Sequence, residues 1–485
     1  MPGNPLLTMH PPTAHSLFVG FVLSILYQGL REYLRVRSPI DETGALTNNS
    51  LELSYSTLVK HYHESNLADN PFDSSFYKTP NDFSDSLEPG QILKLEIVSN
   101  TSFSSNYAYP PGLTLFRTMY SSKNIFNKTV PATGYVLAPF QQDYQGSGSP
   151  RTVVWAHGTS GNSRDCAPSA DQGLMYNWQI VYFLATSGYI VIAPDYAGQG
   201  SDTEFHYMAG LSHAEDVANM VQAVRQSLPF LGVDEWAVVG HSEGGMTSWV
   251  TNQHQAEKPI GGFLGSVALA PSMDFATTMS KWFATPDSRK ELHNTHFGTM
   301  YSLFVLASIH RIEPTIDPLD YLTPIGRRLY GLVTRAGCDS VAPIILEPFS
   351  PDDIYKDYTW ANGTEAVAWA NLVKNRGTGR LSKPMLIVQG DKDTDVPARD
   401  TIDAFDQHCA IFNNKSPITL HKYPGYDHEG INWAAYWDIH KYLDRLYHHD
   451  ALENICRSAA IRPFLTAANV DYNYALFLKA SSPWS

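Results

Sequence analysis

Ser242 lies in Gly240-His241-Ser242-Glu243-Gly244, directly after the apolar run Trp236-Ala237-Val238-Val239. A serine hydroxyl attacks a carbonyl only when a base takes its proton and its oxygen is held clear of the backbone. A strand, a sharp Gly-x-Ser-x-Gly turn and a helix do the holding. Here Met246-Thr247-Ser248-Trp249-Val250 supplies the helical continuation. The five-residue pattern is weak by itself, because a plain serine in a glycine-rich turn matches it equally well. Its weight comes from what else the chain carries.

Pro384-Met385-Leu386-Ile387-Val388-Gln389 reads as a buried parallel strand opening into Gly390-Asp391-Lys392-Asp393-Thr394-Asp395-Val396-Pro397. An acid on the loop after a late strand can orient a histidine from the next loop, and Asp393 is best placed. Asp391 and Asp395 are rivals on the same loop, and turn or cap roles are common for all three. Ile418-Thr419-Leu420-His421-Lys422-Tyr423 reads as the last strand, followed by Pro424-Gly425-Tyr426-Asp427-His428-Glu429-Gly430. Among 18 histidines, His428 is in register to be the base. His421, His440, His448 and His449 fall on strand or helix positions. Serine, acid, then histidine is the chain order of α/β-hydrolases. The fourth part is an oxyanion hole. Thr152-Val153-Val154-Trp155-Ala156 runs into His157-Gly158-Thr159-Ser160-Gly161, and such a turn points backbone N–H groups at a developing negative oxygen. The expected donors are the N–H groups of Thr159 and Glu243, with His157 structural.

The helices and strands that must position these groups follow from pattern. Leu113–Tyr120 and Pro131–Ala138 are strand-like and suit an antiparallel start of the sheet. From Thr152 to Ala270 strands alternate with helical patterns, the signature of a mostly parallel sheet flanked by helices. Ala214–Leu228 is one such helix, with Val217, Met220, Val221 and Val224 at core spacing. The expected organisation is a targeting segment over 1–40, a first core part over 41–271, a mainly helical cap over 272–381, and a second core part with a C-terminal helix over 382–485. Residues 41–112 show little periodicity. Met300, Tyr301, Leu303, Phe304, Val305 and Leu306 form an apolar patch in the cap, read chiefly as the cap's own core and also as shielding for an acyl pocket.

The 485 residues suffice for one large α/β domain with insertions. A net charge of −14 argues against nucleic acid. There is no Walker loop, no zinc-spaced Cys or His cluster and no dinucleotide fingerprint, so neither cofactor nor metal is expected, and no protein partner is implied. Cys166, Cys338, Cys409 and Cys456 allow three pairings if oxidised. The apolar stretch Ser16–Leu30 is short for a membrane span and fits a signal-peptide core, with an uncleaved membrane anchor as the alternative. Five N-glycosylation sequons, at Asn48, Asn100, Asn127, Asn362 and Asn414, exceed the roughly three expected by chance only mildly.

From about Asn70 to Cys456 the chain resembles the fungal secretory lipase family of α/β-hydrolases. The resemblance rests on Asn70-Pro71-Phe72, Phe76-Tyr77, Pro89-Gly90-Gln91-Ile92-Leu93-Lys94, Trp155–Thr159, Cys166-Ala167-Pro168-Ser169, the acid loop Gly390–Pro397 and the histidine loop Tyr423–His428. It implies an α/β-hydrolase fold with a helical cap, ester hydrolysis and secretion. It also implies the disulfides Cys166–Cys338 and Cys409–Cys456, the first tying the loop beyond the oxyanion turn to the cap, the second fastening the C-terminal helix near His428. The expectation is a serine ester hydrolase acting on lipid-like or small hydrophobic esters, with contact to a lipid surface allowed. Acyl transfer or deacylation of a specialised metabolite by the same triad is the alternative, and a non-catalytic binding protein of the same fold is the rival from another class.

Overall fold

Valine, isoleucine and tryptophan runs without alternation favour strands covered on both faces, and such strands carry the centre of the structure. The computed structural model describes residues 48–98, 106–141, 150–294, 298–373 and 377–462. The chain falls into two units, Met1–Lys60 with Tyr472–Ser485, and His61–Asp471. Of the first unit only the N-terminal part of helix α1 (Asn48–Asn66) is described. Ser16–Leu30 and Asn100 lie outside the described residues.

The second unit holds strands β1 (Ile92–Val98), β2 (Leu113–Lys123), β3 (Thr129–Pro139), β4 (Thr152–Ala156), β5 (Ile190–Pro194), β6 (Trp236–His241), β7 (Phe263–Leu269), β8 (Met385–Gly390), β9 (Ile418–Tyr423) and β10 (Arg457–Ala460). They form one ten-stranded sheet in the order β1-β2-β3-β5-β4-β6-β7-β8-β9-β10. The pairs β1–β2, β2–β3 and β3–β5 are antiparallel, and from β5 to β10 every pairing is parallel. Helices α2 (Val181–Thr186), α3 (Gly210–Ser227), α4 (Glu243–Glu257), α12 (Ala398–Ile411), α13 (Gly430–Ala434) and α14 (Tyr436–Tyr447) flank it.

Side chains alternate across each strand, so the sheet has two cores. Val153, Val191, Val239, Val267 and Leu386 pack with Leu184 of α2 and with Ile439 and Leu443 of α14. On the other face Val154, Ile192 and Val238 pack with Val217, Met220, Val221 and Val224 of α3. The four α3 positions expected from helical spacing are therefore core.

Between β7 and β8 lie α5 (Phe275–Phe283), α6 (Pro286–Asn294), α7 (Gly298–Ile312), α8 (Pro324–Ala336), α9 (Ala342–Leu346), α10 (Pro351–Ile354) and α11 (Thr364–Val373). Thr323 starts α8, its Oγ1 accepting the Gly326 N–H at 3.0 Å with Pro324 at the first helical position. In α7, Met300, Leu303, Phe304, Val305, Leu306 and Ile309 are all buried, which marks an internal rather than a surface helix.

Three features differ from the sequence expectation. The stretch 41–112, read as aperiodic, contains α1 and β1; β1 is an edge strand whose one-sided support leaves little alternation to see. The short β10 pairs with β9 beyond the last helix. Cys409–Cys456 fastens α12, not the C-terminal helix, to the segment entering β10, with Cα atoms 6.0 Å apart. Cys166–Cys338, with Cα atoms 5.2 Å apart, joins the segment after β4 to the α8–α9 connection. Around that bridge Asn162 N–H donates to Gly337 O at 3.2 Å and Asp339 N–H to Ser160 O at 3.0 Å.

Candidate active site

Parallel register brings the strand ends together. Ala156 pairs with Gly240, His241 with Leu269, Leu269 with Val388, and Gly390 with Tyr423. The loops that follow β4, β6, β8 and β9 therefore leave one edge of the sheet. Chain order reverses around β4, which lies between β5 and β6, and ligands of open α/β sheets bind at such a switch point.

Ser242 occupies φ 60°, ψ −120°, a region that costs a non-glycine residue of order 1–3 kcal/mol. Surrounding contacts hold it there. Its N–H donates to Leu269 O at 2.9 Å, and its carbonyl accepts from Met246 N–H at 3.0 Å. The elbow's glycines let α4 lie against the strand ends: a Cβ at Gly244 would stand 1.9 Å from Ala156 O. Ser242 Oγ caps no helix N–H and has no hydrogen-bond partner among the described residues.

His428 Nδ1–H donates to Asp393 Oδ2 at 2.8 Å. That carboxylate also accepts from Gln389 Nε2 at 3.0 Å, Asp395 N–H at 3.0 Å and Val396 N–H at 2.8 Å. Its side chain is 0% exposed. Of the three rival aspartates, Asp393 is thus the one bonded to His428. Asp391 instead braces the histidine loop, accepting Gly425 N–H at 2.6 Å, and burial pushes the Asp395 carboxyl up. Burial disfavours the His428 cation, but the Asp393 carboxylate outweighs it, with Asp395 and Glu429 adding, so the imidazole is held above its ordinary range. Its Nε2 is left for another partner.

Sequence reasoning missed a second relay. Tyr176 O–H donates to His241 Nδ1 at 3.0 Å, and His241 Nε2–H donates to the His428 carbonyl at 2.9 Å. Burial and the neighbouring His428 hold His241 well below the usual histidine range, so it stays neutral. His241 was visible in the elbow, but Tyr176, far upstream, carries no local signal.

The turn after β4 presses on the serine. A Cβ at Gly158 would stand 2.1 Å from Tyr176 OH, 3.1 Å from His241 O and 3.2 Å from Ser242 Cβ, so any side chain there must displace the Tyr176 hydroxyl. Buried His157 stacks on Tyr196 at 4.2 Å and contacts Gly158 O at 2.6 Å and Asp195 O at 3.3 Å. Burial lowers it to about 4, so one proton serves two carbonyls, and the shorter contact takes it. The Thr159 N–H has no partner among the described residues. The Glu243 N–H is the first of α4, where no intrahelical acceptor exists. Thr159 Oγ1 lies 3.2 Å from Glu243 Oε2 and 2.8 Å from Tyr207 OH, within hydrogen-bond reach of both. The Tyr207 ring meets Phe304 of α7 edge-on at 5.7 Å. Arg311 of α7 donates to Asn162 Oδ1 at 2.9 Å and Phe205 O at 2.6 Å.

Among the described residues two groups of side chains have metal-like proximity, His241–His428–Glu429 and Asp165–Cys166–Cys338. In the first, both His241 nitrogens and His428 Nδ1 are already hydrogen-bonded. In the second, the sulfurs are joined in a disulfide.

The profile of the Alpha/beta hydrolase family matches residues 153–433. The chain belongs to the alpha/beta hydrolase family. Among curated proteins no sequence match is found. Solved α/β-hydrolase folds are similar. Candida antarctica lipase A superposes with a TM-score of 0.64 at 16% identity, over 85% of this chain and 94% of that one. A putative hydrolase from Legionella pneumophila gives 0.61 at 17% identity, over 75% and 100%. The rice cell wall degrading esterase LipA from Xanthomonas oryzae gives 0.57 at 14% identity, over 76% and 99%. At these identities the likeness is one of fold, an α/β-hydrolase sheet with inserted helices. Among the described residues of this α/β-hydrolase no helix is long and apolar enough to cross a membrane.

Proposed function

We propose that this α/β-hydrolase is a serine carboxylic ester hydrolase. The observation that carries the reading is the convergence, on one sheet edge, of a strained serine, a histidine with Nδ1 committed to a buried carboxylate, and two unpaired N–H groups. Ser242 Oγ attacks the ester carbonyl while His428 Nε2 takes its proton. Asp393 fixes the tautomer and stabilises the imidazolium. The N–H groups of Thr159 and Glu243 receive the tetrahedral oxyanion. His428 then returns the proton to the leaving alcohol, and water releases the acid from the acyl-enzyme.

The substrates we propose are lipid-like or small hydrophobic esters. The lipase and esterase names of the structural neighbours support that class, as does the buried apolar helix α7, which reaches Tyr207 beside the oxyanion turn. The inserted helices 272–381 serve as the cap. Two disulfides suit an oxidising compartment and hence the secretory pathway.

Initial rates on p-nitrophenyl esters from acetate to palmitate, beside emulsified triolein, test the reading with Ser242→Ala as control. Turnover lost in the variant with the fold intact is the expected result. Turnover kept at the wild-type level overturns the triad. A rate rising with chain length and present on triolein establishes a lipase, and activity confined to acetate and butyrate a short-chain esterase.

A further inference from the structure

The two residues whose N–H groups are assigned to the oxyanion hole are also joined through their side chains. Thr159 Oγ1 contacts Glu243 Oε2 at 3.2 Å, while Glu243 Oε1 accepts the Met208 N–H at 2.9 Å. A glutamate one residue after Ser242 is thus buried, with its carboxyl in contact with the side chain of the residue that carries the other proposed oxyanion donor. The groups facing it come from every neighbouring element. They are Thr159 from the turn after β4, Tyr176 further along that connection, Tyr196 from the loop after β5, Tyr207 and the Met208 N–H from the segment before α3, and His213 from α3. None of these is a lysine or arginine. His213 Nδ1 lies 3.8 Å from Glu243 Oε1, but its buried ring stacks on Tyr196 at 4.1 Å. Burial, with His157 and His206 nearby, lowers it to about 3, so it brings no positive charge.

We propose that the Glu243 side chain is a positioning acid that must be protonated for turnover, because an ionised carboxylate there would oppose the oxyanion held by its own N–H and that of Thr159. This rests on the ester-hydrolase reading above. Oε1 is occupied as an acceptor, so the proton sits on Oε2. The O–H then donates to Thr159 Oγ1, and the threonine hydroxyl is free to donate to Tyr207. Ionisation reverses that chain and adds a negative charge. Burial pushes the Glu243 carboxyl up to about 8, against the opposing hydrogen bonds from Met208 and Thr159.

The test compares kcat of wild type and Glu243→Gln on p-nitrophenyl butyrate from pH 6 to 9.5, with active sites counted by a fluorophosphonate. Glutamine cannot ionise, and limbs shared by both proteins cancel in the ratio. The ratio of variant to wild-type kcat should rise about tenfold from pH 7 to 9, following loss of the wild-type proton, with KM little changed. A flat ratio overturns the proposal. Should the variant fail to fold, infrared spectra decide. They are taken on protein labelled with 13C-glutamate and carrying Glu429→Gln, because burial also pushes Asp339 up to about 8 and Glu429 to about 7. A protonated 13C-carboxylic acid stretch present at pH 7 and lost with a midpoint near 8 supports the proposal, and its absence at pH 7 overturns it. Fluorophosphonate labelling of Ser242 separates the two readings. Without labelling the ester-hydrolase reading itself falls, whereas labelling with a flat ratio sinks only the role of Glu243.

Discussion

Asp393→Asn turns the geometry of the acid loop into a test of tautomer control. The carboxylate accepts from Asp395 N–H and Val396 N–H at Oδ1, and from Gln389 Nε2 and His428 Nδ1–H at Oδ2. An asparagine has one oxygen for these two sides. Turning its NH2 towards the backbone pair would orphan two buried N–H donors, each costing about 1–3 kcal/mol. Turning it towards His428 orphans no donor, because Gln389 Nε2 also donates to Gly390 O at 3.1 Å and Val396 O at 3.2 Å, and the imidazole can respond by moving its proton. The second arrangement wins. His428 Nδ1 then becomes an acceptor and its proton moves to Nε2, where it can no longer receive the proton of Ser242. A tautomer fault of this kind costs roughly 10⁴ in kcat, about 5 kcal/mol of transition-state stabilisation. The assay is kcat on an activated ester normalised to folded protein, with the rate of fluorophosphonate labelling as an independent readout of the nucleophile. Both should fall together, with KM moving little. Asp391→Asn and Asp395→Asn, whose side chains do not bond His428, should stay within about tenfold of wild type. Asp393→Asn activity within tenfold of wild type, or an equal loss in Asp395→Asn, would refute the reasoning.

Further outcomes follow from the same contacts. Because His428 must be neutral to act as a base and is held above its ordinary range by Asp393, kcat/KM should fall as pH drops through a value above about 6.5, read from a pH–rate profile. Gly158→Ala should lower kcat by about 10²–10³, since its methyl displaces the Tyr176 hydroxyl and shifts the turn that carries Thr159; kinetics within threefold of wild type would contradict this. Tyr176→Phe leaves His241 Nδ1 without its donor, and its loss should appear in kcat rather than KM. Replacing Cys166 and Cys338 by serine opens a 172-residue span and should cost about 5 kcal/mol of stability in the chain-entropy model, against about 4 for the 47-residue span of Cys409 and Cys456. Denaturant unfolding of the paired variants checks the order.

The chain by itself determined the alternation of strand and helix, because buried parallel strands such as β4, β6 and β8 must be written in Val, Ile and Leu whatever surrounds them. It also determined which residue types follow the strand ends: Gly-x-Ser-x-Gly at the end of β6, three aspartates after β8 and a histidine after β9. What it left open is what depends on neighbours distant in sequence. Asp391, Asp393 and Asp395 are chemically alike and two residues apart; only the packed loop decides which one faces His428 and which one holds Gly425. Edge strands β1 and β10 are short or one-sided, so their pairing partner, not their own pattern, makes them strands. The Tyr176–His241–His428 relay and the Thr159–Glu243 contact join residues far apart along the chain. No periodicity encodes such contacts, because they exist only once the sheet's register has aligned four strand ends on one edge.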